Sequence, residues 1–339
     1  MAPRRRAEPP PPRVELPAPP FVPPAVWRTL AQRLMGEPSL TAADVAARAG
    51  TAGEHTQRLW RALGMPPVPA AEAAFSEADV ASVRTVGDLM ERFPASVDTV
   101  VQLARVMGRA LARVADACVG VIGDRASTET PDATKDAALA DAVEALVPVF
   151  EPALVHVWRH HLLAAVLRTM AARDDTEAGH QRQAVGFADL VGFTALGEQL
   201  DAAQLTALVD RFEALAYEGV VGRGGRVVKM IGDEVMFAAD TPAVAAEIGL
   251  GLVETAAHGP AVPPLRVGLA FGPTVTWEGD LFGPTVNLAS RLVAIARPGT
   301  VLASDALGEA LDPVAFRVRR LRPLALKGLG KVRFWVVRR

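Results

Sequence analysis

The sequence changes its pattern in the polar segment 174–183, and this change limits most strongly what the chain can fold into. Before it, residues 25–170 are rich in Ala, Leu, Arg and Glu, and they show little of the apolar–polar alternation that marks a half-buried strand. After it, short apolar runs of strand length alternate with helical patterns. We therefore predict an all-α domain over 25–170, a linker over 171–182 and an α+β domain over 183–339.

Composition narrows the class of protein further. The chain has 339 residues, half of them hydrophobic, which is enough for two globular domains that each bury a core. A net charge of −2 argues against a broad nucleic-acid-binding face, and the single Cys118 excludes an intrachain disulfide and fits a reducing compartment. No apolar run is long enough to cross a bilayer, and the proline-dominated residues 1–24 are predicted to be a disordered tail. We expect a soluble, cytoplasmic protein that does not enter a membrane.

The second half of the sequence predicts a mostly antiparallel sheet with helices on one of its faces. Asp201 and Gln204 form a capping-box pattern at the start of one helix. Gly232-Asp233 between two apolar runs predicts a tight hairpin. The predicted strands are 184–189, 226–231, 234–238, 265–271, 300–303 and two that flank 328–330, and the predicted helices are the one after Asp201, 242–257 and 285–295.

The hairpin carries the first chemically informative residues. Only four of the 36 cationic residues are lysines, and one of them, Lys229, lies four residues before Asp233. Arginine supplies the general positive charge elsewhere, so a lysine at this position indicates a role for a compact ammonium group. An ammonium group and a carboxylate near one hairpin tip are typical of a site for a nucleotide and a metal ion.

Asp189 provides a second carboxylate. It ends an apolar strand, and Gly192, Phe193 and Thr194 then turn the chain toward a helix. Such a turn presents backbone N–H groups to phosphate oxygens, so we predict that Phe193 and Thr194 contact the substrate. Asp189 alone is more simply explained as a helix cap, but together with Asp233 it makes the carboxylate pair that a two-metal phosphoryl-transfer site needs.

A third motif, from Asp280 to Arg291, places polar groups on a helix. Asn287 and Arg291 are four residues apart and therefore share a helix face. An amide and a guanidinium on one face can orient a sugar and neutralise charge on a phosphate. A capped helix with a surface arginine would explain Arg291, but an asparagine between Val286 and Leu288 favours a functional role.

Together these motifs make residues 183–339 resemble the class III nucleotidyl cyclases. The resemblance implies the ferredoxin-like α+β fold of that family and the conversion of ATP to 3′,5′-cyclic AMP and pyrophosphate. By the same resemblance, Asp189 and Asp233 bind two divalent metal ions, Mg²⁺ or Mn²⁺, Lys229 and Asp280 read the adenine, Asn287 orients the ribose, Arg291 stabilises the transition state, and Lys327 contacts the terminal phosphates.

The resemblance also implies a partner and a substrate preference. In the family each active site lies between two cyclase domains, one giving the aspartates and the other giving the base-reading, ribose and transition-state residues. A chain with one such domain and both sets of residues is expected to form a homodimer with two sites. Guanylyl members differ at the positions of Lys229 and Asp280, which disfavours a guanylyl cyclase. A nucleotide sensor that binds ATP without turnover is a further alternative, and the complete residue set argues against it.

The N-terminal region resembles the soluble regulatory domain of pH-sensing mycobacterial adenylyl cyclases, on segments 60–65 and 75–80. Segment 39–64 has the pattern of two short helices, with Thr41 and Thr51 as candidate N-caps. A DNA-binding helix-turn-helix is one explanation. Ordinary helical packing is the explanation we favour, with a core that contains Val45, Leu59, Trp60 and Leu63.

A group of histidines precedes the catalytic domain and has three explanations. Histidine titrates near neutral pH, so the group could couple protonation to the geometry of the dimer. A solvated helix face explains it as well, and a metal site at the first two members is a third interpretation. The histidines are His156, His160, His161 and His180.

Overall fold

The computed structural model describes residues 24–93, 95–129, 135–171, 181–259 and 262–339. They divide into two compact units between Val157 and Trp158, inside a long helix, and we call them the N-terminal and C-terminal units. The predicted tail, residues 1–24, and the predicted linker, residues 171–182, lie almost wholly outside the described residues. The predicted domain boundaries therefore stay predictions.

Helices dominate the described residues up to 171, as the sequence predicts. In the part of the chain that the structure describes, no helix combines the length and the apolar character needed to cross a membrane. The helices are α1 Pro24–Met35, α2 Ala42–Ala49, α3 Gly53–Ala62, α4 Glu77–Arg92, α5 Val97–Glu129 and α6 Lys135–Ala171.

The caps of α2 and α3 differ from each other. Thr41 and Asp44 form a capping box at the start of α2. The Thr41 hydroxyl accepts from the backbone N–H of Asp44, and the Asp44 carboxylate accepts from the backbone N–H of Thr41. The predicted cap Thr51 is wrong. Helix α3 begins after Ala52, which gives no side-chain cap, and the Thr51 hydroxyl lies 2.9 Å from the Thr56 hydroxyl instead.

Helices α2 and α3 belong to a small apolar cluster of the N-terminal unit. Val45 is buried in it, together with Leu40, Phe75 and Val80. Trp60 packs edge-on against Phe75, with 4.8 Å between the ring centroids. This packing gives Val45 and Trp60 the core role that we favoured for the segment.

The C-terminal unit is built on a mixed sheet in which β4 and β6 run parallel and the other paired strands are antiparallel. Its strand order is β2-β3-β1-β4-β6-β10-β7, with β5 paired to β4, while β8 and β9 form a separate hairpin. The strands are β1 Gln181–Leu190, β2 Arg226–Ile231, β3 Glu234–Ala239, β4 Leu265–Trp277, β5 Asp280–Phe282, β6 Val301–Ser304, β7 Arg317–Arg320, β8 Leu324–Leu326, β9 Gly330–Val332 and β10 Phe334–Arg338.

Helices cover both faces of this sheet, so the prediction of one covered face is wrong. The alternating side chains of β1 are buried on both sides: Ala184 and Ala188 in one cluster, Val185 and Phe187 in another. The first cluster receives α8 and α9, and the second receives α10. The helices are α7 Phe193–Gly197, α8 Ala202–Val221, α9 Pro242–His258, α10 Pro284–Ile295 and α11 Asp305–Ala310.

Candidate active site

Three charged side chains lie in a row across the centre of the sheet. Asp189, near the end of β1, is directly opposite Glu234 on β3 and directly opposite Arg266 on β4. Residues that face each other in antiparallel strands project to the same side. The three therefore share the sheet face that α10 covers, and we call them the Glu234–Asp189–Arg266 row.

Asp233 lies in the turn between β2 and β3. The backbone N–H of Leu190 donates to the carbonyl oxygen of Asp233 at 3.0 Å, which ties the turn to the end of β1. Gly232, the other turn residue, has φ of 62°, a left-handed conformation that glycine adopts without strain. The predicted hairpin is thereby confirmed, and its tip is held beside the strand that ends near Asp189.

The electrostatics show an excess of negative charge at this end of the sheet. Burial raises the pKa of Asp189 above its ordinary value. The hydrogen bond from Arg266 lowers this pKa, and the charge of the Asp233 carboxylate raises it further. Burial, with the charges of Asp189 and Asp233, raises the pKa of Glu234 to about 7. A bound cation would relieve this excess.

Two carboxylates at this end of the sheet supply the oxygen ligands that a magnesium ion prefers. No group of three or more His, Cys, Asp or Glu side chains in metal-binding geometry occurs among the described residues. Mg²⁺ is commonly held by one or two carboxylates together with substrate phosphates, so a pair is sufficient. Asp189, with 12 % of its side chain exposed, and the half-buried Asp233 form such a pair.

Lys229 and Asp280 form a second local group. The ammonium Nζ donates to Oδ2 of Asp280 at 2.5 Å, although 51 positions separate the two residues in the chain. The backbone N–H of Leu281 donates to the other carboxylate oxygen at 2.8 Å and fixes its orientation. A β-bulge at Val228 shifts the register of β2 so that Lys229 lies opposite Met236. An adjacent donor and acceptor can read one edge of a base.

Helix α10 presents Asn287 and Arg291 on its exposed side. Both side chains are exposed and lie one turn apart, while Ala289 and Val293 bury the opposite side of the helix against the sheet. The arrangement is the shared face that the sequence predicts. It leaves the amide and the guanidinium available to a ligand.

The remaining predicted residues lie in turns. Lys327 is exposed in the turn between β8 and β9, and the neighbouring Leu326 packs with Leu292 of α10. Phe193 and Thr194 open the short helix α7; Phe193 packs on the core and Thr194 is exposed.

Two family models match the chain, one before and one after residue 175. Residues 177–339 match the adenylate and guanylate cyclase catalytic domain, and residues 23–171 match the adenylate cyclase regulatory domain. An adenylate cyclase of Streptomyces coelicolor is 43% identical over 288 residues, which cover 83% of this chain and 75% of that protein. The chain belongs to the adenylate cyclase family. Its C-terminal unit thus carries a class III cyclase domain, and the all-α region before it a regulatory domain.

Two further relatives match over most of this chain. An adenylate cyclase of Glutamicibacter nicotianae is 32% identical over 336 residues, covering 93% of this chain and 83% of that protein. A pH-sensitive adenylate cyclase of Mycobacterium tuberculosis is 33% identical over 317 residues, covering 88% and 78% respectively. Both alignments extend through the helical region as well as the cyclase domain.

The structure of the cyclase brings together two of the predicted groups and adds residues that sequence reasoning missed. Asp189 and Asp233 are neighbours, and so are Lys229 and Asp280. Glu234 and Arg266 were not predicted. The signal was present for Arg266, because an arginine inside the apolar strand 265–271 needs a partner.

Proposed function

We propose that this cyclase converts ATP to 3′,5′-cyclic AMP and pyrophosphate. The observation that carries the proposal is the 2.5 Å contact between Lys229 and Asp280. The ammonium can donate to N1 of adenine and the carboxylate can accept from its 6-amino group. The match of Lys229 and Asp280 to the adenine-reading positions of the family favours ATP over GTP, and the relatives are named adenylate cyclases.

Asp189 and Asp233 are the residues that would hold the divalent ions, Mg²⁺ or Mn²⁺. When bound, two such ions lower the pKa of an attacking hydroxyl and neutralise the charge of a triphosphate. The contribution of the chain is to hold two carboxylate groups at one end of the sheet, with the backbone of Asp233 bonded to that of Leu190. The excess negative charge of this region supports the assignment.

The other side chains act by orientation and by donating hydrogen bonds. Asn287 would hold the ribose, and Arg291 would donate to the phosphoryl oxygens on which charge develops. Lys327 would contact the terminal phosphates, and the backbone at Phe193 and Thr194 would lie along the triphosphate. Catalysis of this kind depends on positioning and on charge stabilisation.

We further propose that the active sites form between two copies of the chain. One protomer would give Asp189 and Asp233, and its partner would give Lys229, Asp280, Asn287 and Arg291. The exposure of Asn287 and Arg291 on α10 supports this arrangement, because both point away from the protein interior. A two-fold dimer then contains two equivalent sites.

We also propose that the N-terminal region regulates the cyclase, with pH as the candidate signal. The match of residues 23–171 to the adenylate cyclase regulatory domain and the relation to a pH-sensitive adenylate cyclase of Mycobacterium tuberculosis support this. His156, His160 and His161 are exposed on α6, and His180 lies outside the described residues. Replacing the three described histidines with glutamine should shift the pH–activity profile, and an unchanged profile would remove them as the sensor.

The cytoplasm is the compartment that we propose for the enzyme. The single Cys118 fits a reducing environment. Fractionation of cells that express a tagged chain tests this, and recovery in an extracellular or membrane fraction would count against it.

Product identification tests the proposed reaction directly. Purified protein is incubated with ATP or GTP and Mg²⁺ or Mn²⁺, and the nucleotide products are separated and identified. We expect cyclic AMP from the wild type and none from Asp189→Ala or Asp233→Ala, whereas Asp210→Ala, an exposed change on α8, should behave as the wild type. ATP binding without turnover would support a nucleotide sensor instead, and full activity in either aspartate variant would reject the site.

A further inference from the structure

A small cavity lies in the C-terminal unit, at the end of the sheet away from the candidate active site. The end of α6 and the strand ends of β1, β2 and β3 line it, and its volume is about 260 Å³. Gln183, near the start of β1, belongs to the lining and precedes Asp189 by six residues, which is about 20 Å along an extended strand. The cavity is therefore separate from the carboxylates of the candidate active site.

Two arginine side chains line this cavity from different elements. Arg168 belongs to α6, Arg226 is the first residue of β2, and each is half-buried. In the part of the chain that the structure describes, neither guanidinium makes a hydrogen bond or an ion pair. Burial lowers the pKa of Arg226 from its ordinary value, the charge of Arg168 lowers it further, and the charge of Asp240 raises it. The two positive charges are thus close enough to repel each other.

An anion between the two guanidinium groups would remove this unfavourable arrangement. A partly buried charge without a partner is unfavourable, and arginine can bind two phosphate oxygens with parallel hydrogen bonds. Asp240, which follows β3, also lines the cavity. Because an ionised carboxylate only accepts hydrogen bonds, it suits an anion that still carries a proton. Hydrogen phosphate carries one near neutral pH, whereas sulfate carries none.

We propose that this cavity binds a protonated phosphate group, with Arg168 and Arg226 as donors and Asp240 as the acceptor of the phosphate proton. The inference goes beyond the proposed reaction, which uses none of these three residues. A bound phosphate would join the end of α6 to the start of β2, the strand that carries Lys229 three residues further on.

Hydration of the two arginines is the opposing explanation. Arginine can keep its charged end in water while its stem packs against the protein. In that case the cavity would attract every anion weakly, salt would screen the attraction, and phosphate would have no advantage over sulfate. A selective site predicts tighter binding of phosphate than of sulfate at one ionic strength.

The test is a calorimetric titration of the nucleotide-free full chain with inorganic phosphate and with sulfate. We expect one phosphate per chain, and about 10-fold or more weaker binding of sulfate, because sulfate leaves the Asp240 carboxylate without a donor. Arg168→Gln and Arg226→Gln should each weaken phosphate binding by about 10-fold or more, since each removes a charge-assisted hydrogen bond.

Three further variants locate the ion. Ala164→Leu keeps both charges but adds bulk to the lining of the cavity, so it should weaken phosphate binding. Arg211→Gln, an exposed change on α8, is the charge-matched control and should bind as the wild type. Arg291→Ala removes the arginine of the candidate active site and should leave this affinity unchanged.

Absence of phosphate binding by the wild type at millimolar concentrations, or equal affinity for phosphate and sulfate, overturns the proposal. Binding that Arg291→Ala abolishes and Arg226→Gln leaves intact also overturns it, because the ion would then lie in the active site. If Arg226→Gln does not fold, Arg168→Gln decides in the same way. The titration needs no turnover, so its result does not depend on whether the chain makes cyclic AMP.

Competition by glycerol 3-phosphate distinguishes two sources of the phosphate group. At about pH 6 roughly half of a phosphomonoester keeps its proton, so it can also donate to Asp240. Displacement of inorganic phosphate at this pH assigns the site to the phosphate group of a metabolite. Binding of inorganic phosphate without such displacement assigns it to the free ion.

Discussion

At the scale of single residues, the contact between Lys229 and Asp280 gives a prediction about substrate choice. We expect Lys229→Glu combined with Asp280→Cys to lower the preference for ATP over GTP, because the donor and acceptor for the adenine edge are both removed. An unsatisfied polar group costs about 1–3 kcal/mol, which corresponds to roughly a 5- to 150-fold change in selectivity. The measurement is kcat/KM for both nucleotides. Lys331→Gln, on β9, is the charge-matched control, and unchanged selectivity in the double variant would contradict the base-reading roles.

Glu234 gives a prediction about stability and pH. Its pKa in the folded chain is about 7, raised first by burial and then by Asp189 and Asp233, whereas a glutamate in an unfolded chain titrates near about 4.3. Between these values the folded state holds a proton that the unfolded state has lost, so stability falls as pH rises through this window. Glu234→Gln removes the titration.

We therefore expect Glu234→Gln to gain stability relative to the wild type as the pH is raised from 5 to 8. The relative gain is at most about 3 kcal/mol, since one pKa unit corresponds to about 1.4 kcal/mol and the group keeps some access to water. Urea unfolding in a buffer without divalent ions measures it. Glu218→Gln, an exposed change on α8, should show no such trend. An equal difference between Glu234→Gln and the wild type at both pH values would refute the prediction.

At the scale of elements, the position of α10 depends on a glycine in β4. A Cβ atom added to Gly268 would lie 2.2 Å from the backbone nitrogen of Val293 and 2.5 Å from the carbonyl oxygen of Ala289, so the helix would have to move. We expect Gly268→Ala to cost about 1–3 kcal/mol of stability and to reduce activity, because α10 carries Asn287 and Arg291. Urea midpoints and initial rates measure the two effects.

The control for this change is Gly87→Ala, in the interior of α4. Apart from its chain neighbours and the backbone of its own helix, an added Cβ there meets no atom of the described residues within 4 Å, so the helix should become more stable by about 0.5–1 kcal/mol. Wild-type activity and stability in Gly268→Ala would show that the close approach of α10 to the sheet is not required.

Local sequence patterns predict some of the helices and strands correctly and miss the extent of others. The hairpin and most helices could be predicted because their signals, turn glycines and apolar spacing, are local. Strand β4 runs to Trp277 rather than ending at Phe271, since residues 272–274 pair with the start of β1 and residues 275–277 pair with β5. There Gln183 donates to the Thr274 hydroxyl at 2.6 Å in the protein interior. Such polar long-range pairing has no local signature.

In the candidate site, too, only the residues of short local motifs could be predicted from the sequence. Asp189, Asp233 and the α10 residues could be predicted because each belongs to a short motif. The contact of Arg266 with Asp189 depends on the register of two strands whose paired residues lie 77 positions apart. Register is set by the whole sheet, so neither this contact nor the bulge at Val228 follows from the spacing of residues.

At the scale of the whole molecule, a composite site between two protomers predicts complementation. Asp189→Ala and Arg291→Ala should each be inactive, but a mixture whose subunits exchange should recover activity. In a heterodimer, one site receives the intact aspartate of one chain and the intact arginine of the other, and the second site lacks both. Random exchange makes half of the dimers heterodimers, so the mixture should reach roughly a quarter of the wild-type activity.

A mixture of Asp189→Ala with Asp233→Ala provides the matched control. Both changes fall in the set that one protomer gives to a site, so every site in every dimer lacks one aspartate, and exchange should restore nothing. A site contained within a single protomer predicts no recovery in either mixture, because each chain has lost one of its own residues. Recovery in the first mixture and none in the second therefore requires that one protomer supplies the aspartates and its partner supplies Arg291.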